Sequence, residues 1–116
     1  MKKRNDYSID EIFRDLRSKD PMTFEDAYHA LLPQVSLHKD RIVAALSEES
    51  DSRIKNRYIE LLGDCRDPSL IPIIAKELDS EVEEVIPWAI GALEKIGTQE
   101  ALGVANRFKS AHPEWK

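Results

Sequence analysis

The feature that most restricts what this chain can fold into is that its second half repeats itself. Ile54 and Val85, Ile59 and Ile90, Leu62 and Leu93, Cys65 and Ile96, Ile71 and Leu102, and Ile73 and Val104 each stand 31 positions apart. A fainter copy pairs Leu31 with Leu62 at the same offset, then Ile42 with Ile74 and Leu46 with Leu78 at 32, which places a one-residue insertion in a turn. A period of this length holds two helices and their turns. One such hairpin cannot bury its apolar face alone, so neighbours must stack into a continuous core, and about three are needed. A chain of 116 residues is the size of one domain and has room for such a stack.

Local signals place the helices. Ser8 and Glu11 have capping-box spacing, which predicts a first helix to about Ser18 with Ile9, Ile12, Phe13 and Leu16 on one stripe. Asp20-Pro21 is expected to end it. Thr23 is expected to cap a second helix with Ala27, Tyr28, Leu31 and Leu32 facing inward and Pro33 at its end, and Ser36 to cap a third carrying Leu37, Ile42, Val43 and Leu46. The polar run from Ser47 to Asp51 is a turn that supplies the next cap, ahead of Ile54, Tyr58, Ile59, Leu61, Leu62 and Cys65. Asp67-Pro68 joins an N-cap to a proline at the first helical position, with Leu70, Ile71, Ile74 and Leu78 to follow. Ser80 and Glu83 repeat the capping-box spacing before a helix with Val82, Val85, Ile86, Ala89, Ile90, Leu93 and Ile96. Pro87 inside that helix is expected to kink it, and Gly97 to end it. Thr98 caps a last helix with Ala101, Leu102, Ala105 and Phe108, and a tail from about Ser110 with Pro113 and Trp115 is expected to be non-helical.

The stretches Asp51-Ser52-Arg53-Ile54, Leu61-Leu62-Gly63-Asp64, Asp67-Pro68-Ser69-Leu70-Ile71-Pro72 and Ala92-Leu93-Glu94-Lys95-Ile96-Gly97-Thr98-Gln99-Glu100-Ala101-Leu102 resemble tandem HEAT-like repeats of the phycobilisome-lyase type. Residues 51 to 109 carry the resemblance well and residues 23 to 50 loosely. It implies a single all-α domain over 1–116, a short right-handed α-α superhelix of about three hairpins at 23–50, 51–79 and 80–109. Residues 1–22 would form an N-terminal capping helix and 110–116 a tail. It also implies a surface presented to another protein. The chain departs from the pattern at Tyr58, where a small residue is usual, at Glu94, which takes the place of Gly63, and at Lys109, which takes that of an apolar residue. These departures imply that the final repeat is a terminal cap.

Composition narrows the function classes. Hydrophobic residues at 41% and charged residues at 34%, with four glycines, describe a soluble helical protein. No apolar stretch approaches the roughly 20 residues of a membrane span. Met1-Lys2-Lys3-Arg4 is followed by polar residues rather than a signal-peptide core, so a cytoplasmic location is expected. Cys65, the single cysteine, falls at an apolar helical position and reads as an inert core thiol. His29, His38 and His112 fall on different elements, and no His-Glu dipeptide occurs, so no metal site is expected. There is no Gly-x-Ser-x-Gly elbow, and Gly63, Gly91, Gly97 and Gly103 are too dispersed to cradle a phosphate. No catalytic residue and no cofactor are expected. A net charge of -5, with no basic patch beyond Lys2-Lys3-Arg4, argues against nucleic acid as a partner.

Two features remain as a candidate docking face. Glu77, Asp79, Glu81, Glu83 and Glu84 form an acidic run with no base inside it, and Trp88 lies off the core stripe of its helix. Either has a plainer explanation: acids near Ser80 complement the positive end of the next helix, and Trp88 fills a groove beside Pro87 or packs on the tail. Taken together they predict a non-enzymatic protein–protein interaction module with a basic partner, since tryptophan is enriched at interface hot spots. In its sharper form this is an immunity protein or stoichiometric inhibitor that neutralises a basic toxin domain. The family resemblance adds an accessory, chromophore-lyase-like or chaperone-like role as an alternative, and the open end of a repeat stack adds self-association.

Overall fold

A computed structural model describes residues 7–115. The Lys2-Lys3-Arg4 arm lies outside the described residues. The protein is all-α, with no strand among the described residues. The chain divides into two compact units, one up to His38 and one from Lys39 on. That boundary falls inside the 23–50 segment expected to form one hairpin.

In the first unit α1 (Ile9–Asp15) opens with the expected capping box. The Glu11 amide donates to Ser8 Oγ at 3.1 Å and the Ser8 amide to the Glu11 carboxylate at 3.3 Å. Ile12, Phe13 and Leu16 are buried. Asp20-Pro21 opens α2 (Pro21–Leu31), so Thr23 is its third residue and not its cap. A residue before proline is held extended, which is the N-cap conformation, and proline lacks a donor where the first turn needs none. Asp20 accepts from the Thr23 amide at 3.2 Å and the Thr23 hydroxyl at 2.6 Å.

α2 ends just before Pro33, as expected, but a 3-10 stretch over Leu32–His38 follows it where a new α-helix was expected from Ser36. Gln34 leaves helical geometry there (φ -123, ψ 18), and its side-chain amide donates to the Ala30 carbonyl at 3.2 Å in place of its backbone. Ser36 therefore caps nothing, and Leu37, expected in the core, is 81% exposed.

The second unit holds α3 (Lys39–Glu48), α4 (Ser52–Asp64), α5 (Ile71–Lys76), α6 (Ile86–Ile96) and α7 (Gln99–Ala111). Short 3-10 turns at Pro68–Leu70, Glu77–Asp79, Glu83–Val85 and Pro113–Trp115 join or end them. α4 packs along α6, α3 against α4, and α5 against both α6 and α7. Ile42, Leu46, Ile54, Tyr58, Ile59, Leu61 and Leu62 are buried, with Leu70, Ile71, Ile74 and Leu78 from the next segments. Val85, Ile86, Ala89, Ile90, Leu93, Ile96, Ala101 and Ala105 complete this core. Cys65 is half-buried, while Val82 and Leu102, expected inside, are 46% and 38% exposed. No helix among the described residues is long and apolar enough to cross a membrane.

The 31-residue offset is written most clearly in the turns. Arg66, just past the end of α4, has φ 50 and Gly97, just past the end of α6, has φ 73, both left-handed, so an arginine occupies the conformation for which the other copy uses glycine. The next residue caps the following segment in each copy: Asp67 accepts from the Ser69 amide at 2.9 Å and Thr98 from the Ala101 amide at 3.1 Å. Gly63 lets α4 approach α6 closely, because a Cβ there would lie 2.9 Å from Ala92 Cα. Ala92, one turn after Trp88 on α6, is accordingly buried. At the equivalent position in the second copy Glu94 is exposed and pairs with Lys109 at 3.1 Å, so the two departures of the last copy meet each other.

The expected capping box at Ser80 does not form. Ser80 Oγ accepts from the Val82 amide at 3.1 Å, one residue short of Glu83, and α6 begins at Ile86 without a side-chain cap. Pro87 is the second residue of α6. The bond it cannot donate would run to Glu83, so the ladder starts after it, the preceding turn is 3-10, and the expected kink becomes a 3-10-to-α junction. α7 continues to Ala111, one residue beyond the expected start of the tail, and Pro113–Trp115 then forms a 3-10 turn where non-helical chain was expected.

Candidate functional site

The acidic run passes through two 3-10 turns with an extended segment between them, so its five carboxylates do not all share one face. Glu77 is partly buried and bonded to Lys55 at 3.4 Å, beside a groove of about 420 Å³ floored by Val43, Leu46 and Ile73. Glu84 accepts from the Ser52 hydroxyl at 3.4 Å. Asp79, Glu81 and Glu83 are exposed, and among the described residues they have no ion pair and no hydrogen bond from a side chain.

Trp88 lies in the first turn of α6 and is 43% exposed. It lines a groove of about 240 Å³ with Pro87, Gly91 and Ala92, bounded by Glu60 and by Lys95, whose ammonium is held by Asp64 at 2.7 Å. Trp88 thus has the groove beside Pro87 as its setting, yet keeps much of its ring in solvent. Asp79, Glu81 and Glu83 do not line this groove.

They line another instead, of about 340 Å³, at the end of α7. Leu78, Ile86, Phe108 and Trp115 supply its apolar and aromatic walls, and Asp79, Glu81, Glu83 and Glu114 its carboxylates. His112 stacks on Phe108, with centroids 4.4 Å apart and planes at 27°, and places Nδ1 4.0 Å from Glu114. Among the described residues no lysine or arginine lines it. In the sequence pattern Phe108 is a core position, and His112, Glu114 and Trp115 fall in the tail expected from about Ser110. The signal for their meeting was the i, i+4 spacing of Phe108 and His112, which keeps both on one face when the helix runs on.

The carboxylates whose pKa values move are helix caps. The Lys39 ammonium, with the Ser69 amide and hydroxyl, lowers Asp67 to about 2. The Thr23 hydroxyl and amide lower Asp20, and the Arg53 amide lowers Asp51. Each is a negative group at the start of a helical segment, where unpaired amides and the helix dipole favour charge. Among the described residues no group of three or more histidine, cysteine, aspartate or glutamate side chains could hold a metal ion. Compared with protein-family models, curated proteins and solved structures, the chain finds no match.

Proposed function

We propose that the chain is a non-enzymatic protein-binding module of stacked HEAT-like hairpins, acting in the cytoplasm on a partner with a basic surface. The observation that carries this reading is the contrast among the acids of the second unit. Asp64, Asp67, Glu77 and Glu94 are each matched to a lysine, whereas Asp79, Glu81 and Glu83 stand unmatched among the described residues, beside the half-buried rings of Phe108 and Trp115. Like charges gathered without counter-charges cost stability and speed the encounter with an oppositely charged partner. In its sharper form the module is a stoichiometric inhibitor of a basic domain.

The test is affinity capture with the tagged full chain, identification of what is held, and reconstitution of the purified pair. A one-to-one complex with a basic protein, whose association slows as salt is raised from 50 to 500 mM, supports the proposal. Capture of only acidic or uncharged partners, or association indifferent to salt, overturns it.

A further inference from the structure

Resting on that protein-binding reading, we infer that the groove walled by Phe108 and Trp115 is the docking site for an extended arginine- or lysine-bearing segment of the partner. The carboxylates choose the charge of the occupant. Their spacing chooses its shape: four of them line one groove, yet among the described residues no cluster converges tightly enough for a metal ion. A cation that meets them must reach several separated points, as successive basic side chains of a peptide do.

The walls fit the rest of such a side chain. Leu78 and Ile86 offer apolar contact to an aliphatic stem, and the aromatic wall of Trp115 and of Phe108, on one face of which His112 stacks, suits a guanidinium or ammonium head. At about 340 Å³ the groove is at the small end of ligand sites, suited to side chains of an extended segment rather than to a folded element. Trp88, in its separate groove, is not part of this site.

Trp115 can report occupancy, because the chain has two tryptophans and Trp88→Phe leaves it alone. In that full-length background, Trp115 fluorescence is titrated with an acetylated tetra-arginine peptide and with tetra-glutamate. Folding is checked by circular dichroism and mass by sedimentation. Saturable binding of tetra-arginine and none of tetra-glutamate is expected. Glu81→Lys with Glu83→Lys should weaken tetra-arginine binding ~10-fold or more, while Glu25→Lys with Glu100→Lys, an equal change of net charge on exposed residues elsewhere, should weaken it by less than ~3-fold. Glu81→Gln with Glu83→Gln keeps side-chain shape and should also weaken it, should the charge-reversed protein fold poorly.

Equal weakening by the two charge-matched pairs, or no response to tetra-arginine, overturns the groove assignment. So does a concentration-dependent dimer lost in the Glu81→Gln, Glu83→Gln protein, which would seat a second copy in the groove. A captured basic partner that binds the groove variants as well as the parent sinks this inference and leaves the protein-binding reading standing. Absence of any basic partner in the capture experiment sinks that reading instead.

Discussion

Gly63 and Gly91 offer the same substitution with opposite consequences. In either helix, alanine for glycine gains about 0.5–1 kcal/mol from propensity. At Gly63 the added Cβ would lie 2.9 Å from Ala92 Cα and 3.0 Å from Ala92 Cβ, where carbon atoms prefer about 3.5 Å or more. The first of these contacts is backbone, so no rotamer change relieves it, and α6 must retreat by about half an ångström at the α4 crossing. Such overpacking costs about 1–3 kcal/mol. A Cβ on Gly91 meets nothing within 4 Å.

Gly91→Ala should therefore stabilise the protein by about 0.5–1 kcal/mol and Gly63→Ala destabilise it by about 1 kcal/mol. The gap between them isolates the steric term, since the propensity gain is common to both. At about 4–8 °C per kcal/mol for a unit of this size, their melting points should differ by more than about 4 °C. Tryptophan fluorescence during thermal and urea unfolding reads the relevant unit, because Trp88 and Trp115 both lie after Lys39. If Gly63→Ala melts at or above Gly91→Ala, the close α4–α6 crossing is wrong.

Arg66→Gly should stabilise the protein by about 0.5–1 kcal/mol, because arginine pays for the left-handed φ that glycine adopts freely; an unchanged urea midpoint would remove the strain argument. Asp67→Asn keeps a capping oxygen but loses the Lys39 pair. Asp67 titrates at about 2 in the fold against a reference of 3.8, so the charge-dependent stability is full above pH about 4 and lost as pH falls toward 2. The urea-unfolding gap between parent and variant should close over that window, and a gap that persists at pH 2 would place the effect elsewhere. Pro87→Ala should destabilise by no more than about 1 kcal/mol, through greater freedom of the unfolded chain. A stabilisation of about 3 kcal/mol, as expected on relieving an interior proline, would mean that α6 begins before Glu83.

Core positions were legible in the sequence wherever a helix had strong period, both behind a side-chain cap, as the buried Ile54, Ile59, Leu62 and Ala101 illustrate, and in the uncapped α6, as Leu93 does. Misreadings cluster at proline. Asp20-Pro21 and Asp67-Pro68 are the same dipeptide, and both open a helical segment. A dipeptide that can stop one helix or start the next is decided by which neighbouring amides need an acceptor, and Thr23 supplied them. Leu37 was assigned to a core stripe on period alone; a 3-10 stretch of three residues per turn rotates that stripe away from the α-helical one and sends Leu37 to solvent.

The candidate site was legible as chemistry but not as geometry. An acidic run and an aromatic partner are visible in the one-dimensional chain, and nearness along it selects Trp88. Nearness in the fold is set by the direction in which each carboxylate leaves the backbone. Between Leu78 and Val85 that backbone is two 3-10 turns around an extended Ser80, which turns Asp79, Glu81 and Glu83 to one groove while Glu77 faces another and Glu84 meets Ser52. The aromatic residues that Asp79, Glu81 and Glu83 do meet come from 25 to 36 positions later, brought there because α7 outlasts its apolar stripe and carries Phe108, His112 and the turn with Trp115 back to Leu78 and Ile86. In a repeat of 31 residues that distance is one period, so the groove joins the end of one copy to the end of the next. The packing of α6 on α4 and of α7 on α5 and α6 that buries Leu62 and Leu93 is also what places the acids against the aromatics.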